Sequence, residues 1–230
     1  FDFEASSVKT FGNLEHEDNS DSLFVILTFS GGGTRAAALA YGVLERLART
    51  HVVWEGRTVS LLDEVDVVSS VSGGSLTAAY FGLHGPRAFN DFPERVLYRD
   101  VQGDLVSALI RGKNVVRLAS PFFGRTNLMA EQLNETVFDG RTYGDILARG
   151  RRPFVIVNAT DLGLGMPFEF TQAQFDLIAS NLSSYSIAAA VAASSAYPGY
   201  LTPITLRNYA PEAGLPQPDW VGEALRNAER

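Results

Sequence analysis

The sequence predicts an α/β domain built on a mostly parallel sheet. Two strand–glycine turn–helix units lie within residues 23–83, and a third apolar run of buried-strand type follows at residues 153–160. Parallel neighbours need a crossover between them, usually a helix, and these units supply it.

Residues 1–22 are polar and acidic, with Asp2, Glu4, Glu15, Glu17, Asp18 and Asp21 against Lys9, and read as a leader or surface arm. Ser6 and Lys9 match an S-x-x-K nucleophile pattern, but no supporting motif follows, so chance in a polar segment explains it. Residues 23–30, LFVILTFS, form a continuous apolar run with the length and residue types of a buried strand. Gly31, Gly32 and Gly33 follow. Then Ala36, Leu39, Ala40, Val43, Leu44 and Leu47 recur at helical spacing within residues 34–50. The pattern repeats, with VDVVSSV at 65–71 as a strand, a Ser-Gly-Gly turn, and a helix over 75–83. Residues 85–126 are less regular. Helices are predicted over 127–138 and 142–149, a strand over 153–160, and a further strand over 166–171. SIAAAVAASSA at 186–196 is a small-residue helix that must stop before Pro198. Residues 207–219, rich in Gly and Pro, read as loop.

The chain has 230 residues, 46% of them apolar, which suits one large domain with a real core. No apolar run approaches the roughly 18–20 residues of a membrane span. The net charge of −7 argues against a nucleic-acid partner. With no cysteine, disulfides, thiol catalysis and cysteine-ligated zinc are excluded. The chain opens at Phe1 without a hydrophobic signal core, so it reads as a processed or trimmed product, and an exported protein would look like this.

Chemistry gathers at Ser72. The segment Ser69-Ser70-Val71-Ser72-Gly73-Gly74-Ser75 sits between a predicted strand and a predicted helix. A sharp strand-to-helix turn exposes its central serine, and the residues two before and two after must be small. Here they are Ser70 and Gly74, with Ser where glycine is usual. Ser72 also falls at a helix amino-terminus, where peptide dipoles favour developing negative charge. A plain Ser/Gly turn closing a βα unit fits the same residues. The triglycine shifts the balance. Acyl transfer needs N–H donors aimed at an oxyanion, each worth roughly 100–1000-fold in turnover, and glycines let backbone approach a substrate closely. A phosphate-cradling loop is the rival reading of Gly31, Gly32 and Gly33. However, G-x-G-x-x-G fails at Ala36, and G-x-x-x-x-G-K-[ST] is absent. The chain has three His, at 16, 51 and 84, and none follows Ser72 at the distance a Ser-His-Asp triad of the α/β-hydrolase order needs. A carboxylate acting directly on the serine is the remaining option. Isolated His residues and the lack of H-E-x-x-H or D-x-D-x-D-G leave no metal site, and the chemistry requires no cofactor.

Three segments, FSGGGTRAAALAYGVL, VDVVSSVSGGSLTAAYFGL and AVAASSAYPGYLTPITL, together resemble the patatin-like phospholipase family in its bacterial branch. The resemblance runs from about residue 23 to residue 220. It implies a three-layer α/β/α fold, Gly31, Gly32 and Gly33 as the oxyanion loop with Arg35 beside them, and Ser72 as nucleophile of a Ser–Asp dyad that cleaves lipid esters. Ala36 replaces the glycine often found next. The family's Asp lies in a D-G-[GA] motif, and none occurs here: Asp139-Gly140 is followed by Arg141 between two predicted helices, and Asp161 follows a strand, where capping the strand end is the plainer role. Residues 23–230 are therefore expected to be the amino-terminal portion of a catalytic domain, incomplete at its C-terminus, with the Asp on a following segment or second fragment. An inactive lipid-binding or scaffolding domain is the alternative that the missing motif allows.

A surface for lipid is expected over residues 99–125. Arg99, Arg111, Lys113, Arg117 and Arg125 outnumber Asp100 and Asp104 there, and are interleaved with Leu105, Val106, Leu109, Ile110, Val115, Val116, Leu118, Phe122 and Phe123. That mixture suits transient contact with a membrane–water interface, and equally an amphipathic helix with a solvated basic face.

Overall fold

The first apolar run folds as strand β1 (Val25–Phe29) and turns through the glycines into helix α1 (Gly33–Arg49). A hairpin of β2 (His51–Trp54) and β3 (Arg57–Ser60) leads to β4 (Val65–Val71) and α2 (Gly73–His84). Next come a 3-10 turn, α3 (Ala88–Phe92), and a π turn over Pro93–Leu97. Beyond them lie α4 (Gly112–Leu118), α5 (Arg125–Leu133) continued by a π turn over Asn134–Phe138, and α6 (Tyr143–Ala148). The chain then forms β5 (Phe154–Asp161), β6 (Met166–Glu169), α7 (Gln172–Leu177), α8 (Ile187–Ser194) and a short α9 (Ala210–Ala213). The structure is a computed structural model that describes residues 14, 19, 20, 22–100, 103, 107, 112–120, 123–214 and 221.

The main sheet has the order β1-β4-β5-β6. β1, β4 and β5 are parallel, and β6 returns antiparallel to β5. Helices flank it, giving the three-layer α/β architecture with a mostly parallel sheet. The register aligns Phe29 with Ser70 and Val71 with Asn158, so the carboxyl ends of three parallel strands open at one edge of the molecule. In open α/β sheets that edge is where ligands bind. The core fills the opposite direction. Val65, Val68, Val155 and Val157 are buried in the sheet, and Tyr80, Phe92 and Phe138 meet in a ring cluster beside it.

Several elements differ from the sequence reading. β1 reads as a buried strand, yet among the described residues it pairs only with β4, and Phe24 and Ile26 stand exposed. Its apolar character therefore follows its proximity to α1 and the sheet face, not burial on both sides. The hairpin β2–β3 carried a readable signal: Glu55 and Gly56 both adopt positive φ, at 49° and 75°, as a two-residue type I′ turn requires. Residues 210–213, expected as loop, make one helical turn.

The expected surface arm also ends inside the protein. Asn19 and Ser20 are buried, together with two carboxylates at the amino end of β4, Glu64 and Asp66. The Ser20 amide and hydroxyl both donate to Glu64 Oε2, at 3.0 and 2.7 Å. Asp66 accepts from the Val25 amide at 2.6 Å and from Asn19 Nδ2 at 3.3 Å, and pairs with Arg152. Burying a carboxylate is tolerable only when it is paired and hydrogen-bonded. The remaining residues of the arm, His16 among them, and the Ser6/Lys9 pair lie outside the described residues. Arg152→Ala would leave Asp66 buried without its cation, and is expected to cost about 3–5 kcal/mol of stability. Urea unfolding followed by circular dichroism measures it.

Candidate active site

Ser72 joins the end of β4 to the start of α2. It holds φ 52° and ψ −120°, one of four non-glycine residues with positive φ among those described. Such backbone costs on the order of 1–3 kcal/mol and persists only where its surroundings enforce it. They do so here by close approach. A Cβ on Gly73 would stand 2.1 Å from the Gly33 carbonyl oxygen. A Cβ on Gly74 would stand 2.7 Å from Phe29 Cβ and 2.8 Å from the carbonyl oxygens of Phe29 and Ser30. The small residue that the turn demands two positions after Ser72 is thus explained by the end of β1 lying directly against it. Ser70, two positions before, is buried and donates through Oγ to the Ile156 carbonyl at 3.0 Å.

The glycine loop lies against the same turn. A Cβ at Gly31 would fall 3.2 Å from Ser72 Cβ and 3.9 Å from Ser72 Oγ, so the loop runs alongside the serine side chain. Gly32 takes φ 142°, closed to other residues, and caps α1. The first N–H groups of a helix have no partner within it. Those of α1 therefore begin at Gly33, whose carbonyl touches Gly73. Ser72 is half-buried, while Gly31, Gly32, Gly33 and Arg35 are exposed.

A polar network supports the turn from below. The Ser72 amide donates to Ser194 Oγ at 2.8 Å, Ser194 Oγ donates to the Asn158 carbonyl at 2.6 Å, and Ser75 Oγ lies 3.1 Å from Ser194 Oγ. Asn158 Nδ2 donates in turn to Ser69 Oγ at 2.9 Å and to the Ser70 carbonyl at 3.0 Å. Sequence reasoning placed Asn158 on a strand and Ser194 on a small-residue helix and gave neither a role. Ser194 falls within the third segment of the family resemblance, but nothing local gives it a partner, because it lies 122 residues from Ser72.

A cavity of about 980 Å³ opens beside the turn. Asn158 and Ser194 reach it from the network, Val71 borders it from the end of β4, and Phe168, Ile178 and Pro198 give it apolar walls. Its size and lining suit a largely apolar ligand.

The other candidate groups sit elsewhere. Asp161 also borders this cavity, but its Oδ1 accepts from the Gly163 and Leu164 amides at 2.7 and 3.1 Å and closes the β5–β6 turn. Asp139 ends the π turn at φ 49° and pairs with Arg95 at 2.8 Å. His51 is exposed on the β2–β3 hairpin. His84 is the last residue of α2. At the helical rise it stands about 17 Å along the axis from the turn. Its ring packs on Tyr80 with centroids 4.3 Å apart. Burial holds the His84 imidazole below its usual pKa, against a smaller opposing pull from Asp91. A histidine kept neutral by the fold stabilises it above the unfolded-state value of 6.5, and that contribution is lost as pH falls through the lower folded value. Lowering the pH from about 7 to 5 is therefore expected to depress the melting temperature less in His84→Phe than in the unmodified protein. Differential scanning fluorimetry across that range reads the difference.

The segment expected at a membrane surface is partly described. Arg117 on α4 pairs with Glu131 of α5 at 2.5 and 2.8 Å and covers the Phe123 ring at 3.8 Å. Val115 and Val116 are exposed beside it. The side chains of Arg111 and Lys113 lie outside the described residues.

Fold and site together define a three-layer α/β domain in which a serine turn and a glycine loop meet at the carboxyl end of a parallel sheet. The chain belongs to the patatin-like phospholipase family, whose model matches residues 27–215. Membership of that family supports a lipid acyl hydrolase. No curated protein matches the chain.

Proposed function

We propose that the protein cleaves carboxylic esters of lipids through an acyl-enzyme on Ser72. The observation that carries this reading is the strained backbone of Ser72, held with the glycine loop beside its side chain. In the proposed reaction Ser72 Oγ attacks the ester carbonyl as its proton passes to a carboxylate base. N–H groups of Gly31, Gly32 and Gly33 take the oxyanion, in a region that α1 makes positive. The tetrahedral intermediate expels the alcohol, which carries the proton away. Water then attacks the acyl-Ser72 with the same base assisting, releasing the acid and restoring the serine. The cavity beside Val71 receives the acyl chain. The base is an Asp of D-G-[GA] context, the second half of a Ser–Asp dyad, on a segment or fragment beyond these 230 residues. Residues 99–125 make transient contact with the lipid surface.

The absence of D-G-[GA] from the sequence favours a second reading, a lipid-binding domain that keeps the fold without turnover. Acid release separates the two. The hydrolase reading predicts free fatty acid from phosphatidylcholine vesicles, and turnover of a soluble short-chain ester, by the full-length protein. Binding to vesicles with neither product would establish the second reading in its place.

A further inference from the structure

Ser194 satisfies every hydrogen-bonding capacity of its hydroxyl at the serine turn. A hydroxyl has one proton and two lone pairs. The proton goes to the Asn158 carbonyl at 2.6 Å. One lone pair takes the Ser72 amide at 2.8 Å, and the other takes the Ser75 hydroxyl at 3.1 Å, which must be the donor because the Ser194 proton is already used. Ser194 is the last residue of α8, so the hydroxyl fixes the carboxyl end of one helix to the amino end of another. Asn158 extends the clasp backwards along β4 through Ser69 and Ser70.

We propose that Ser194 is the positioning residue for Ser72, setting both the backbone angle of the nucleophile and the identity of the oxyanion donors. This rests on the reading of Ser72 as the nucleophile. The contacts of Gly73 and Gly74 hold the turn at φ 52° by shape, and Ser194 Oγ holds its amide by a hydrogen bond. The same bond withdraws the Ser72 N–H from the reaction. An amide donating to Ser194 at 2.8 Å cannot also point at a developing oxyanion. The donors are then the glycine-loop amides alone or with Gly73, the residue after the nucleophile. This division of labour gives the loop at the start of α1 its role, with Gly31 running beside the Ser72 side chain.

Kinetics of Ser194 variants on a soluble short-chain ester test the proposal, with Ser72-dependent turnover by the full-length protein as the reference. Ser194→Ala removes the acceptor and leaves the Ser72 amide without a partner. It is expected to lower kcat about 10–100-fold with KM changed less than about threefold, because a displaced nucleophile affects the transition state more than ground-state binding. Ser194→Thr keeps the acceptor and is expected to recover most of the lost kcat. Ser75→Ala keeps the Ser72–Ser194 bond and is expected to cost less than Ser194→Ala. Hydrogen exchange at the Ser72 amide should rise in Ser194→Ala and not in Ser75→Ala. A folded Ser194→Ala with unchanged kcat, or a loss confined to KM, overturns the proposal while leaving the hydrolase reading in place. If Ser194→Ala and the near-isosteric Ser194→Cys both fail to fold, the hydroxyl serves the fold and the proposal falls as well. If no turnover depends on Ser72, both readings fall together.

Discussion

Gly73→Ala is expected to abolish turnover and to destabilise the fold, although it adds a single methyl group. The added carbon would lie 2.1 Å from the Gly33 carbonyl oxygen, 2.8 Å from its carbonyl carbon and 3.0 Å from its nitrogen. All three are backbone atoms, so no side chain can rotate away. Either α2 retreats from α1 or the glycine loop moves, and both displace Ser72 from the loop. A displacement of about 1 Å at a reacting group costs on the order of 100-fold in rate. Overpacking adds roughly 1–3 kcal/mol or more. Two other glycines of the same region calibrate the effect. At Gly33 a Cβ meets nothing within 4 Å, but φ is 62°, so Gly33→Ala should cost only about 1–2 kcal/mol of backbone strain. Gly42, inside α1, has an ordinary φ and open space around it, so Gly42→Ala should stabilise by about 0.5–1 kcal/mol. Melting temperature and ester turnover should be lowest in Gly73→Ala, intermediate in Gly33→Ala and highest in Gly42→Ala. A Gly73→Ala protein as active as Gly42→Ala would show that the turn and the glycine loop do not depend on their contact.

Ser72→Ala is expected to lower turnover by at least about 10⁴-fold without changing the fold. The magnitude follows from losing the attacking atom, which leaves only oxyanion stabilisation and binding. Structural neutrality follows from how the turn is held. Ser72 contributes its amide to Ser194 and its carbonyl to the Ser75 and Leu76 amides, at 2.9 and 3.3 Å, and alanine keeps all three. Alanine also has the same Cβ, so the strain at φ 52° is neither relieved nor increased. Replacing His16, His51 and His84 together should leave most of the activity. His84 sits at the far end of α2 and His51 on the hairpin, and neither belongs to the turn. A folded triple variant without activity would mean that a histidine serves as the base.

The site was legible in the sequence where its parts are local. The run from Val65 to Val71 reads as a strand with the bounds the structure gives it, because a valine-rich stretch of seven residues stopped by Ser-Gly-Gly admits few alternatives. Gly74 was marked as necessarily small two residues after Ser72, and the wall it meets is the end of β1. The contact of Gly31 with Ser72 also depends on β1 and β4 being parallel neighbours, which the two βα units implied. What could not be read is long-range. Asn19 and Ser20 looked like the end of a polar arm, and only the folded chain brings them to Glu64 and Asp66. Ser194 looked like one more small residue in an alanine-rich helix, and its value lies in where α8 ends relative to β5 and α2. The Glu55-Gly56 turn belongs to neither class. Its glycine is a local signal, and the flanking residues 51–54 and 57–60 pair as the hairpin.

The central claim is that Ser72 is a reactive nucleophile, and it is tested most directly by reaction of the full-length protein with a fluorophosphonate. The account predicts one covalent adduct per molecule, mapped by peptide mass spectrometry to Ser72 and absent from Ser72→Ala. Labelling should be slower in Ser194→Ala. An unlabelled Ser72 in protein shown to be folded, or an adduct at another residue that survives Ser72→Ala, would contradict the account and leave the turn as a structural junction between β4 and α2.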